Sequence, residues 1–156
     1  MNPPLAIYLH WKIHLGGNWK MKIKKYLYYV GDFETTVFDG QDYTEVWASG
    51  VCPLWTEDAQ IFGSIDETFD FLSGLKENVC IYYHNLKFDG SFWLDFLLRK
   101  KGFSQALNVV GETSWFDKDK FMRNNTFKYS ISVFGQWYNI IIKVNNKFIE
   151  IRDSLK

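Results

Sequence analysis

Tyr26-Leu27-Tyr28-Tyr29-Val30-Gly31-Asp32-Phe33-Glu34-Thr35-Thr36 is the stretch on which the fold turns. Its apolar first half reads as a buried strand. Side chains two apart on a strand share a face, so Asp32 and Glu34 project together from the strand's end. Two carboxylates side by side repel each other and resist desolvation unless cations sit between them. About fifty residues later comes His84-Asn85-Leu86-Lys87-Phe88-Asp89-Gly90, which adds a third carboxylate after another apolar strand. Three converging carboxylates suit a pair of Mg²⁺ or Mn²⁺ ions and in-line attack on a phosphodiester.

These two strings resemble the first two exonuclease motifs of family B DNA polymerases, in particular the protein-primed polymerases of small linear-genome bacteriophages. In that family the first motif reads Asp-Phe-Glu-Thr-Thr, and the second contains His-Asn-Leu-Lys-Phe-Asp-Gly; both occur here unchanged. Gly135-Gln136-Trp137-Tyr138 and Asp153-Ser154-Leu155-Lys156 resemble further segments, in the same order. The resemblance runs from about Met21 to Lys156. It implies an α/β, ribonuclease H-like (DnaQ-like) fold, a mixed sheet flanked by helices and incomplete at its C-terminal end. It also implies two-metal 3′-5′ proofreading of DNA, with Asp32, Glu34 and Asp89 as catalytic metal ligands for Mg²⁺ or Mn²⁺. Thr35, Asn85 and Phe88 resemble the family's contacts to a single-stranded primer end. Ser154 and Leu155 begin a motif that touches single-stranded DNA and the terminal priming protein.

The family's third exonuclease motif, a Tyr-x-x-x-Asp on a later helix, does not occur after Asp89 in these 156 residues, nor does the catalytic lysine beyond it. The expectation is therefore the N-terminal part of a protein-primed DNA polymerase, with residues 21–156 a partial exonuclease domain and the isolated chain inactive. The sheet face around Tyr28 and Val30, where the later helix would pack, is expected to be uncovered. Two other readings compete. One is a free-standing single-strand binder without catalysis. The other is a small independent nuclease that takes its last carboxylate from Glu112, Asp117 or Asp119.

The bulk numbers agree with one folded domain. The chain is 47% hydrophobic and 19% aromatic, enough for a real core. Its formal net charge of zero makes no electrostatic case for non-specific DNA binding. Cys52 and Cys80 form no Cys-x-x-Cys and read as buried free thiols in a reducing, cytoplasmic setting, the bacterial host's if phage-encoded. No apolar run reaches membrane-spanning length.

Residues 1–20, with Pro3-Pro4 and Gly16-Gly17 and no clear period, read as a leader, non-native or flexible. Leu15-Gly16-Gly17-Asn18 can be encoded by a purine-rich ribosome-binding sequence, and Met21 would be a natural start. The order that follows is strands at Tyr26–Thr35, Glu45–Val51 and Ala59–Phe62. A helix opens on the capping box Ser64…Glu67, with Ile65, Phe69, Leu72 and Leu75 on one side. A strand at Val79–Tyr83 leads to a helix from about Asp89 to Lys101, stopped by Gly102. Strands at Tyr129–Val133 and Gln136–Val144 lead, through the two-residue turn Asn145-Asn146, into Lys147–Arg152. The reading of 107–126 is ambiguous. By residue type alone, Asp89 reads as a helix N-cap, Phe88 and the seven tryptophans as core, His84 as a hydrogen-bonded structural histidine, and Arg99-Lys100-Lys101 as a solvated helix end. His10 and His14 have helical metal-pair spacing but fall in the leader.

Overall fold

The computed structural model describes residues 25–106 and 122–155. Eight strands form one mixed sheet in the order β3-β2-β1-β4-β8-β7-β6-β5. β1 (Tyr26–Thr35) lies between antiparallel β2 (Val46–Pro53) and parallel β4 (Asn78–Tyr83). β3 (Gln60–Phe62) continues the antiparallel side beyond β2. β8 (Lys147–Asp153) is parallel to β4 and antiparallel to β7 (Trp137–Val144). β6 (Thr126–Ile131) pairs antiparallel with β7, and the two-residue β5 (Ser104–Gln105) lies parallel at the edge. An antiparallel triplet joined to parallel strands fits the expected α/β nuclease-like fold.

Helices α1 (Ile65–Gly74) and α2 (Leu86–Asp95) cover one face. The core lies between them and the inward row of each strand: Tyr29 and Phe33 of β1, Val79, Ile81 and Tyr83 of β4, Ile149 and Ile151 of β8. The period of two along β1 decides what is left outside. With Tyr29 and Phe33 inward, Tyr28, Val30, Asp32 and Glu34 face out. Tyr28 is 45% and Val30 40% exposed, as expected for that face.

Several sequence boundaries shift. The expected strand end at Ser132-Val133 becomes a turn, because the Ser132 hydroxyl accepts from the amides of Phe134 (3.2 Å) and Gln136 (3.1 Å) and competes with the ladder. The Asn145-Asn146 turn holds, both residues having positive φ (49° and 59°), the geometry that suits a tight hairpin. The second helix starts at Leu86, not Asp89, and continues past Asp95 as a π-helical turn, Phe96–Lys100. Asp89 thus lies inside the first turn and is not the N-cap. β5 was missed, being too short to show a period.

Some side chains depart from expectation. Trp93 is core, but Trp47 and Trp55 are exposed. Cys80 is buried, whereas Cys52 is only half-buried and donates to the Thr56 carbonyl (3.3 Å). Lys101 is no free solvated end: its Nζ lies 2.6 Å from Asp66 and over the Phe69 and Phe96 rings. His10, His14, Glu112, Asp117, Asp119 and the leader lie outside the described residues.

β8 ties both helices down. Its helix-facing row reads Lys147, Ile149, Ile151, Asp153, with the two isoleucines in the core. At one end the Lys147 ammonium donates to the carbonyls of Leu72 (2.8 Å) and Leu75, at the C-terminus of α1. At the other end the Asp153 carboxylate accepts from the Leu86 amide, at the N-terminus of α2. Each buried charge complements the helix dipole it meets.

Candidate functional site

The last paired residues of β1 and β4 are Gly31 and Tyr83. A Cβ on Gly31 would sit 2.7 Å from the Tyr83 ring, so only glycine allows that ring to pack there. Asp32 follows at once, beyond the end of the β1–β4 pairing. Its neighbour across the gap is the turn His84-Asn85 and the first turn of α2, which carries Asp89. The two sequence motifs therefore meet at the C-terminal ends of adjacent parallel strands.

Asp89 is only 3% exposed, and its Oδ1 has no hydrogen-bond partner. Burial pushes its carboxyl up to about 6, and the charge of Asp32 pushes the same way. The backbone amides of Phe33 and of Asp89 itself, and the nearby His84, pull it partly back. A buried acid with an orphaned oxygen, facing a second acid, is a local conflict of the kind found at functional sites. Both side chains are hard oxygen donors, a fit for Mg²⁺ or Mn²⁺. Asp32 and Glu34 both face out from β1, as expected. Among the described residues, however, no three acidic, histidine or cysteine side chains come close enough to hold one ion together. The structure brings Asp32 and Asp89 together and does not join Glu34 to them as a third ligand.

The other expected residues surround this pair. Thr35 is half-buried and follows a register shift between Glu34 and Thr35, an irregularity that re-aims a strand-end side chain. Asn85 adopts a left-handed conformation (φ 58°, ψ 60°), and its exposed side chain makes no capping bond. Phe88 is 48% exposed, resting edge-on against Phe92 at 5.2 Å, so the core assignment by residue type fails. The exposed His84 makes no side-chain hydrogen bond among the described residues; its contribution is the electrostatic one on Asp89.

Ser154 and Leu155 are exposed, and the Ser154 amide donates to the Tyr83 carbonyl (2.9 Å), which sets this turn beside the end of β4. Trp137 presses on α2 from β7: a Cβ on Gly90 would lie 2.9 Å from its ring.

Two residues were missed. Tyr83 is buried with its hydroxyl unpartnered beside Ser49 and Trp93, and burial pushes its phenol far above the usual range. Asp153 is buried and bridges two backbone amides. Tyr83 directly precedes the second motif and Asp153 opens the last one, but nothing in either string signals burial.

No protein-family model matches the chain. Its sequence is 31% identical over 144 residues to the DNA polymerase of Streptococcus phage Cp-1, covering 83% of this chain and 21% of that one. It is 34% identical over 134 residues to the DNA polymerase of Bacillus phage phi29, covering 82% and 20%. Among solved structures, phi29 DNA polymerase in an orthorhombic crystal form superposes with a TM-score of 0.66 at 28% identity over 85% of this chain. The same polymerase complexed with single-stranded DNA gives 0.63 at 31% over 85%. The chain spans about a fifth of the length of the curated relatives it matches.

Proposed function

The chain is homologous to phage DNA polymerases over 83% of its length, and from this we propose that it carries a site that holds and trims the 3′ end of single-stranded DNA. The polymerase of which it would form the N-terminal part is of the protein-primed family B type, with a terminal priming protein as partner. The observation that supports this best is the buried Asp89, with one oxygen unpartnered and its carboxyl pushed up by the charge of Asp32, beyond the C-terminal ends of β1 and β4.

Asp32 and Asp89 would hold the cation, with Glu34 supplying a ligand as substrate arrives. When bound, Mg²⁺ or Mn²⁺ would supply charge to activate water and to stabilise the departing oxygen. The chain's own residues do the rest. Asn85 offers an amide and Thr35 a hydroxyl to sugar, phosphate or base. Phe88 offers an exposed ring face on which a terminal base can stack. Ser154 and Leu155 border the same end of the sheet and extend the strand's path.

A second reading is favoured by one observation: among the described residues no three acidic, histidine or cysteine side chains are placed to hold one ion. On that basis the isolated chain binds a single-stranded end more readily than it cleaves it. Both are tested by incubating a 5′-labelled oligonucleotide with the purified chain and Mn²⁺, and measuring binding and trimming together. Binding with weak trimming, the latter abolished in Asp32→Ala, is expected. Robust trimming that survives Asp32→Ala would sink the site assignment. No binding at all would sink the functional reading.

A further inference from the structure

We propose that Asp153 is a positioning residue for the candidate site: it anchors the first amide of α2 from another strand and so holds the left-handed turn at Asn85 that leaves the Asn85 side chain free to meet DNA. The proposal rests on the functional reading above. A helix needs acceptors for its first amides, and the residue before the helix ordinarily supplies one from its own side chain. Asn is among the best residues for that task, and Asn85 occupies the position. Yet Asn85 makes no such bond.

The acceptor comes from 67 residues away. Asp153 Oδ2 takes the Leu86 amide at 3.3 Å, inside the protein. Its other oxygen, Oδ1, takes the Leu155 amide at 2.8 Å. The strand that carries Asp153 is in register with β4, Tyr83 opposite Asp153, and the Ser154 amide closes on the Tyr83 carbonyl. One buried carboxylate thus fixes two things at once: the first turn of α2, with Phe88 and Asp89 on it, and the Ser154-Leu155 turn.

The left-handed backbone of Asn85 completes the device. It swings the chain from β4 straight into α2 and takes the Asn85 side chain out of capping geometry. The Phe88 amide closes the turn on the Asn85 carbonyl at 3.0 Å, so the Asn85 backbone is held while its side chain is not. With Asp153 absent, the Leu86 amide loses its buried acceptor, and the left-handed link at Asn85 that keeps its side chain out of capping geometry loses its hold on the helix side.

The test is a double-variant cycle on the whole chain, at a temperature where circular dichroism shows every variant folded. The probe is a fluorescent oligothymidylate read by anisotropy, with Ca²⁺ as the cation. Asn85→Ala and Asp153→Ala should each weaken binding about tenfold, and the double variant should be little worse than either, because both remove the same contact. Asp153→Asn, which keeps one acceptor oxygen, should recover part of the loss. Should Asp153→Ala fail to fold, Asp153→Asn carries the same cycle. If the losses simply multiply, Asp153 supports the fold without acting through Asn85, and the proposal is overturned while the functional reading stands. If the wild-type chain does not bind the probe, the functional reading falls and this proposal with it.

Discussion

Helix α1 starts on its own neighbours, whereas helix α2 starts on a residue from the other end of the described chain. At α1 the Ser64 hydroxyl accepts from the Glu67 amide (3.2 Å), and the Glu67 carboxylate accepts from the Gly63 amide (2.9 Å). The reciprocal box is local in sequence and faces solvent. At α2 the first amide, of Leu86, goes to the buried Asp153, the third, of Phe88, goes to the Asn85 carbonyl, and the Asn85 side chain stays out of the cap. A helix that only has to pack can be capped by whatever precedes it. A helix whose first turn must present side chains to a ligand gains from a cap supplied from behind, because the residues at its tip are then uncommitted.

The comparison predicts unequal costs. Asp153→Ala removes the acceptor for two amides in a buried place and should destabilise the chain by about 2–4 kcal/mol, read by urea unfolding. A loss below about 1 kcal/mol would mean that water or Asn85 replaces the carboxylate easily, and the contrast with α1 would dissolve.

Phe88→Ala sharpens the contrast from the other side. The ring is half out of the protein, so stability should change little while oligonucleotide binding weakens by about 1–3 kcal/mol. A large fall in melting temperature with unchanged binding would return Phe88 to the core.

Asp89 adds a pH signature that α1 lacks. Its carboxyl is raised from 3.8 to about 6 in the folded chain. An acid raised on folding stabilises the fold when protonated; that contribution is complete below the ordinary value and is lost as pH rises through about 6. Asp89→Asn should therefore be more stable than wild type by about 1–3 kcal/mol above pH 7, without divalent cations, and about equal near pH 4. Parallel stability curves across that range would mean that Asp32 and burial do not act on Asp89 as the structure indicates.

Ser64→Ala should have the smallest effect, about 1 kcal/mol of stability with no change in oligonucleotide binding. A binding defect here would show that α1 communicates with the site and that the two helix starts are not independent.

Much of this was legible along the chain. The alternation through Tyr26–Thr35 placed Asp32 and Glu34 on one outward row, and it held because Tyr29 and Phe33 had a helix layer to pack against. The Ser64…Glu67 box and the Asn145-Asn146 turn held for a different reason: their geometry is set within a few residues of the chain. The two long motifs lie at the C-terminal ends of the adjacent parallel strands β1 and β4.

What the sequence by itself determined, then, was local: strand faces, one helix cap, one hairpin turn and the identities of Asp32, Asn85 and Asp89. What only the tertiary structure decided was non-local. The start of α2 depends on Asp153 because β8 inserts beside β4, a pairing that no local period encodes. Phe88 is exposed because Leu86, Asp89, Gly90 and Trp93 take the buried side of α2 and leave its ring on the other, which residue type does not encode. Asp89 is strained because burial and the charge of Asp32 act on it together, and both arise only when β1 and β4 lie side by side. Hydrogen-bond satisfaction and desolvation are properties of a place in space, and a residue reaches that place through neighbours that are distant in the chain.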